Sequence, residues 1–191
     1  MSLDSLDADA ALVQRAKQGD TRAYDLLVIK YQHRILALVR RFVGDADALD
    51  VAQEAFIKAY RSLANFREDS AFYTWLYRIA VNTAKNYLAA RGRRPPSADV
   101  DVDDAQHLEV GAPLHDHSTP EQELNKERVQ QVIRTTLAQL PEELRVALTL
   151  REFDGLSYED IAQIMDCPVG TVRSRIFRAR EAIEKNLAPL L

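Results

Sequence analysis

One cysteine, Cys167, rules out an intramolecular disulfide and with it a stapled secreted scaffold. The six glycines include no G-x-G-x-x-G or Walker spacing, so no phosphate-cradling loop is expected. No window approaches the roughly 18 uncharged apolar residues that a membrane span needs, and insertion into a bilayer is not expected. The opening stretch MSLDSLDADAALVQRAKQ carries acids where a secretory signal needs a basic start and an apolar core. These absences together point to a cytoplasmic chain. No stretch alternates with period two for long and no repeat is found, so strands are not expected either. What remains is 191 residues with 47% hydrophobic and 28% charged content, enough for one large domain or two small ones.

Basic charge is also in short supply. Against 29 Asp and Glu there are 25 Lys and Arg, a net charge of −4, which disfavours phosphate contacts on average. The average hides an uneven distribution. Residues 78–94 hold five cations (Arg78, Lys85, Arg91, Arg93 and Arg94) and no acid. Residues 95–123 hold eight acids and no Lys or Arg, with four of the seven prolines, three of the four histidines and no aromatic. Such a stretch cannot build a core and reads as a linker. Eleven of the fourteen aromatics lie between positions 24 and 87, so the block before the linker has its own core. A smaller core is expected from about residue 126 onward.

Helical spacing runs through both blocks. Asp20 can cap a helix whose apolar positions Leu27, Tyr31, Ile35, Leu38 and Phe42 recur three and four apart. Further helices are expected over about 47–63, 70–90 and 141–154, with Gly155 as a break and two shorter helices after it. The chain reads as all-α.

The last two helices form a helix-turn-helix pattern. Ser157 and Asp160 give a capping-box-like start, 166–170 makes a short turn, and Thr171 is placed to cap the next helix. At about 100° per residue, Val172, Ile176, Ala179 and Ile183 fall on one side, and Arg173, Ser174, Phe177 and Arg178 on the other. Such a helix fits the major groove, where Arg pairs with guanine, Ser bonds either edge and Phe meets a thymine methyl. The bland alternative is an amphipathic hairpin with a solvated basic face. Cys167 has no neighbouring His or second Cys and reads as a turn residue.

In the expected helix over 70–90, Tyr73, Leu76, Tyr77, Ala80, Ala84 and Tyr87 share an apolar face. Opposite them stand Trp75, Arg78, Asn82, Lys85 and Asn86. An indole among amides and cations suits unpaired bases, which stack on the ring while the cations hold phosphates. The same indole can equally pack on a neighbouring helix. Phe66 and Phe72 flank a loop able to receive a flipped base. In the preceding helix Ala52, Ala55, Phe56, Ala59 and Leu63 face inward, while Asp50, Glu54, Ile57 and Arg61 form an outer stripe with the look of a protein-contact face.

The segments DVAQEAFIKAYRSL, FREDSAFYTWLYRIAVNTAKNYL and LPEELRVALTLREFDGLSYEDIAQIMDCPVGTVRSRIFRAREAI resemble regions 2 and 4 of extracytoplasmic-function sigma factors. Within that family the chain is similar to the sigma-E group of envelope-stress regulators, and the likeness runs in order from about residue 10 to 187. The resemblance implies two helical domains, 1–94 (region 2) and 128–191 (region 4), joined by an extended, flexible acidic linker over 95–127. It implies an alternative sigma factor, not an enzyme, that directs promoter-specific initiation. Asp50, Gln53, Glu54, Ile57, Lys58 and Arg61 would dock on the β′ clamp helices of core RNA polymerase, with the β flap as a second contact. Phe66, Arg67, Ser70, Trp75, Arg78, Asn82 and Lys85 would read and help melt the −10 element. Thr171, Arg173, Ser174, Phe177 and Arg178 would read the −35 element. It further implies a membrane-anchored anti-sigma partner, promoter DNA as ligand, a monomer, and no catalytic residue, metal or cofactor.

A length argument agrees with two domains. A single globule of this size has a radius of gyration of about 16 Å. Elements about 25 base pairs apart are separated by ~85 Å at ~3.4 Å per step, whereas about 30 linker residues extend to roughly 100 Å. The resemblance implies that this linker threads polymerase channels that otherwise hold nucleic acid, and its acidity then reads as mimicry of nucleic acid.

Other readings explain less. A stand-alone helix-turn-helix regulator leaves the first block without a job. An enzyme finds no ordered constellation: Asp99, Asp101 and Asp103 begin like a calcium loop, but Asp104 stands where Gly is needed and Val110 where Glu is needed. His107, His115 and His117 lie in the linker without a scaffold. A purely structural adaptor would tolerate Arg173→Ala and Arg178→Ala. With an acidic total and basic charge confined to two segments, the free chain should bind promoter DNA weakly. A gel shift showing tight, specific binding without polymerase contradicts that expectation.

Overall fold

The computed structural model of the chain describes residues 3–92 and 120–190, which belong to two compact units. Every regular element among them is helical. The first unit contains α1 (Leu3–Lys17), α2 (Thr21–Val43), α3 (Asp45–Ser62), a short 3-10 turn (Leu63–Asn65) and α4 (Phe72–Gly92). The second contains α5 (Pro120–Gln139), α6 (Glu142–Glu152), α7 (Tyr158–Met165) and α8 (Val169–Leu187), then a 3-10 turn (Ala188–Leu190).

Local chemistry sets the boundaries in the first unit. The Asp20 carboxylate accepts the Ala23 N–H at 3.3 Å and starts α2. Arg15 grips the same carboxylate with two N–H groups, at 2.8 and 3.0 Å, and holds its pKa below the ordinary value. Gly44 separates α2 from α3 with φ 81, a conformation that favours glycine. Asp45 and Asp47 then sit in the first turn of α3, where the helix dipole favours negative charge.

The core of this unit is built on unequal sizes. From α2 come Leu27, Tyr31, Ile35, Leu38 and Val39, and from α4 come Leu76, Tyr77, Ala80 and Ala84. Against them α3 presents Ala48, Ala52, Ala55 and Ala59, with Val51. Small residues on the middle helix let the large ones of its neighbours fill the space close to its backbone. Phe42, expected on the core stripe, is only half-buried, and Val39 and Val43 take the buried places near the end of α2.

Two helices escape the periodicity reading. α1 precedes the expected start of structure, and it is anchored by Asp9, only 2% exposed and accepting hydrogen bonds from the Tyr31 hydroxyl and the Lys30 ammonium. α5 begins at Pro120, inside the stretch read as linker, so residues 120–127 are helical. Proline suits a first helical position because its missing N–H has no intrahelical partner there. The rest of the expected linker lies outside the described residues.

In the second unit five consecutive residues of α6, Val146–Leu150, are buried, because other helices of the unit surround it. Ser157 caps α7, accepting the Asp160 N–H at 3.0 Å and donating to its carboxylate at 2.7 Å. Asp166 ends α7 in the left-handed region (φ 50, ψ 53), the place a glycine often holds and one Asp tolerates. The next helix starts at Val169 after Pro168, so Thr171 lies inside α8 and does not cap it. Proline's fixed φ makes the turn shorter than the sequence implies.

Buried and exposed apolar residues of α2 should behave differently on truncation. Leu38→Ala, in the fully buried core, is expected to cost about 2–5 kcal/mol. Ile29→Ala, on the exposed face of the same helix, should stay within about 0.5 kcal/mol. Denaturant unfolding of the two variants checks the contrast.

Candidate nucleic-acid interface

α8 separates into two faces. Val172, Ile176 and Ala179 are buried against the rest of the unit, while Arg173, Phe177 and Arg178 are exposed and Ser174 is half-exposed. Phe177 shows 68% of its surface, an unusual amount for an aromatic side chain. Its neighbours are held in place. The Ser174 hydroxyl donates to the Thr171 carbonyl at 2.9 Å, and the Arg173 guanidinium lies over the Tyr158 ring at 5.7 Å. Tyr158 is itself faced by Arg151 at 4.8 Å, and Arg151 donates to the Leu156 carbonyl at 2.7 Å. The ring thus orients Arg173 from outside its own helix.

Not all the basic charge of α8 is available to a ligand. Arg175 donates to the Glu143 carboxylate and, at 3.3 Å, to the Cys167 sulfur. Arg180 pairs with Glu152. These two cations tie α8 to α6 and to the turn, which gives Cys167 a structural place. The outward cation pair is Arg173 and Arg178.

In the first unit α4 carries Arg78, Asn82 and Asn86 outward at four-residue spacing, with Lys85 half-buried beside them. Trp75 falls on the same side by helical angle, yet only 8% of it is exposed. The loop before α4 folds back over its first turn. The Phe66 ring lies 4.9 Å from the indole and Phe72 5.7 Å from it, with Phe66 and Phe72 edge-on at 6.1 Å. Phe66 and Trp75, both expected to meet DNA, therefore form a buried aromatic platform, and neither presents a free ring face. Arg67 is exposed and Ser70 half-exposed on the loop above.

Beside this platform is a cavity of about 430 Å³. One wall is the loop, with Glu68, Asp69 and Ser70, and the opposite wall is α1, with Asp9, Ala10 and Val13. It is large enough to admit a nucleobase, and on its walls Asp9 and Glu68 already accept hydrogen bonds from side chains of α2 and α1. The part played by α1 was missed in the sequence, although Ala10, Val13 and Ala16 at three-residue spacing before Gly19 carried a helix signal.

The loop has a fixed shape. Glu68 is a non-glycine residue in the left-handed region, φ 62, a conformation that costs roughly 1–2 kcal/mol. Two residues of α1 hold it. Gln14 donates to its carboxylate at 2.7 Å and Lys17 at 2.8 Å. The Lys17 ammonium also donates to the Phe66 carbonyl at 2.8 Å and sits 6.0 Å from the Phe66 ring centroid.

A second surface lies across the outer side of α2 and α3. Asp50, Gln53, Glu54, Ile57 and Arg61 are exposed, and Lys58 is half-buried and paired with Glu54 at 2.7 Å. Gln53, Ile57 and Arg61 border a groove of about 510 Å³ completed by Tyr24, Phe56 and Tyr60. Tyr24 donates to the Phe56 carbonyl at 2.7 Å and stacks obliquely on Tyr60, fixing the groove floor. Tyr24, Phe56 and Tyr60 were not expected there, because their spacing alone does not separate a groove from a core. Ile57 keeps 44% of its surface exposed at the rim.

Among the described residues no group of three His, Cys, Asp or Glu is placed to hold a metal, and no helix is long and apolar enough to cross a membrane. Asp99, Asp101, Asp103 and the three late histidines lie outside those residues.

Comparison with known proteins yields two matching families. Residues 27–94 match Sigma-70 region 2, and residues 130–183 match Sigma-70, region 4. The RNA polymerase sigma-H factor of Pseudomonas aeruginosa is 64% identical over 186 residues, 97% of this chain and 96% of that protein. The ECF RNA polymerase sigma-E factor of Escherichia coli is 61% identical over 183 residues, 96% of each. The solved structure of CnrH in complex with the cytosolic domain of CnrY is similar with a TM-score of 0.68 at 27% identity, covering 96% of this chain and 99% of that one.

The contacts of Glu68 give a titration test. The Lys17 and then the Gln14 hydrogen bond hold its carboxyl below the ordinary value of 4.5. A lowered carboxylate pKa means that these bonds favour the folded loop fully above 4.5, and that their contribution is lost as pH falls through the lowered value. In an NMR titration Glu68 should have its midpoint below 4.5, and Lys17→Ala should move it up. A midpoint indifferent to Lys17→Ala contradicts the contact.

Proposed function

Since the chain belongs to the extracytoplasmic-function group of sigma-70 factors, and so directs promoter-specific transcription by RNA polymerase, we propose how its surfaces divide that task. Residues 1–94 act as region 2, 128–191 as region 4, and 95–127 as the acidic connection between them. The α8 face formed by Arg173, Ser174, Phe177 and Arg178 reads the −35 element in the major groove, with Thr171 at the phosphate-facing end of the helix. The observation that carries this assignment is the exposed Phe177 between two outward arginines, on the second helix of a helix-turn-helix whose other two arginines are ion-paired.

The loop over Phe66, Arg67 and Ser70, its cavity, and the outward Arg78, Asn82 and Lys85 read the −10 element as single strand. The cavity takes a flipped base, and Asn82 bonds a base edge. Phe66 and Trp75 contribute as the platform beneath the loop. The α3 face, with Asp50, Gln53, Glu54, Ile57, Lys58 and Arg61, docks on the β′ clamp helices, and the second unit meets the β flap. The free protein is a cytoplasmic monomer. Two further points belong to this reading: a membrane-anchored anti-sigma partner that covers the docking groove, and control of envelope-stress genes; the similar CnrH is bound by the cytosolic domain of CnrY.

One assay tests the division of labour: transcription in vitro with the purified chain, bacterial core polymerase and a sigma-E-type promoter. Transcripts should require both proteins. Arg178→Ala should lower them by roughly 10- to 100-fold, the loss of one bidentate base contact. Ile57→Glu, at the groove rim, should abolish core binding, measured separately. Neutralising Asp99, Asp101 and Asp103 should impair initiation, and unchanged transcription removes the mimicry reading of the linker. Full transcription by Arg178→Ala refutes the −35 assignment.

A further inference from the structure

We propose that Lys17 and Gln14 of α1 are positioning residues for −10 recognition, a latch that holds the loop over residues 66–70 in its base-accepting shape. The inference rests on the reading that this loop and its cavity meet the −10 strand. Its grounds are geometric. The loop carries a non-glycine residue, Glu68, in the left-handed region, a conformation that an isolated loop rarely keeps. The carboxylate of that residue is met by Gln14 at 2.7 Å and Lys17 at 2.8 Å, and the same ammonium takes the Phe66 carbonyl at 2.8 Å. One cation therefore fastens both the entrance of the loop and its strained residue.

The latch also has a firm base. Arg15, on the same last turn of α1, grips Asp20 at the start of α2. Farther up the helix, Asp9 is held by Tyr31 and Lys30. These two anchors tie α1 to α2, at Asp9 on the cavity wall and at Arg15 in its last turn. Lys17 itself keeps only 22% of its side chain exposed, so it is poorly placed to contact a phosphate. Without the latch, Glu68 is released toward more common backbone conformations and the Phe66–Ser70 wall of the cavity loses its shape. The base would then have to order the loop as it binds, and binding would weaken in a sequence-selective way.

The test uses holoenzyme assembled from the full chain and bacterial core polymerase. Its affinity is measured by fluorescence anisotropy for a non-target-strand oligonucleotide carrying a sigma-E-type −10 element and for a scrambled one. Lys17→Met should weaken the specific oligonucleotide about tenfold and the scrambled one less than about twofold, as expected for losing charge-assisted hydrogen bonds that act only through the loop. Lys17→Arg should recover most of the affinity. Adding Glu68→Gly to Lys17→Met should recover part of it, since glycine adopts the left-handed region without a latch. Core affinity should match the wild type. Equal weakening of both oligonucleotides would make Lys17 a phosphate contact and overturn the latch. Wild-type selectivity in Lys17→Met overturns it too, while leaving the −10 reading intact. If the wild-type holoenzyme itself shows no preference, or Asn82→Ala changes nothing, the −10 reading falls and the latch falls with it.

Discussion

Asp9 is a carboxylate with almost no exposed surface, and its burial is tolerated because Tyr31 and Lys30 both point hydrogen bonds at it. Burial and the adjacent acid push the Tyr31 phenol well above its ordinary pKa, so it remains a donor. That contact attaches α1 to α2. The attachment brings Gln14 and Lys17 to the loop before α4, and the loop in turn covers Trp75. A cavity wall, a strained residue and an aromatic platform are thereby linked to one buried acid in α1.

The helices that carry the two outward faces could be read from periodicity. α8 offers only one way to bury Val172, Ile176 and Ala179, and that choice turns Arg173, Phe177 and Arg178 outward. The α3 stripe and the Arg78–Asn82 side of α4 follow by the same reasoning. Periodicity fails where burial is imposed from outside a helix. Trp75 lies at the right angle for a polar face, but the returning loop covers it, and an angle holds no information about a loop. α1 is hard to read because its acids and few large apolar residues give a weak stripe. The start of α5 is hard to read because it shares the acidic, proline-containing composition of the segment before it. The groove between α2 and α3 escaped for a third reason: Tyr24, Phe56 and Tyr60 are large apolar residues that fit a core pattern equally well.

Charge is organised by the same division between holding and presenting. Arg15, Lys30, Arg91, Arg175 and Arg180 are engaged with acids of their own unit, with Arg91 meeting Asp47 at 3.0 Å. Such pairs contribute modestly to stability when exposed. Their larger effect is to fix helix ends and loops, leaving a few cations facing outward. An acidic protein can then present basic surfaces without a basic total.

The pairing of Arg175 and Arg180 has a consequence for ionic strength. A cation already neutralised by a glutamate displaces no counterion when it approaches a duplex. With those two removed from the count, α8 keeps Arg173, Arg178 and, in its last turn, Lys185 to do so, giving a salt slope of roughly −3 in log affinity against log salt. Attachment of this helix to DNA should therefore be shallowly dependent on salt, so that swings in the cell's ionic content change its hold on a promoter far less than its share of arginine implies.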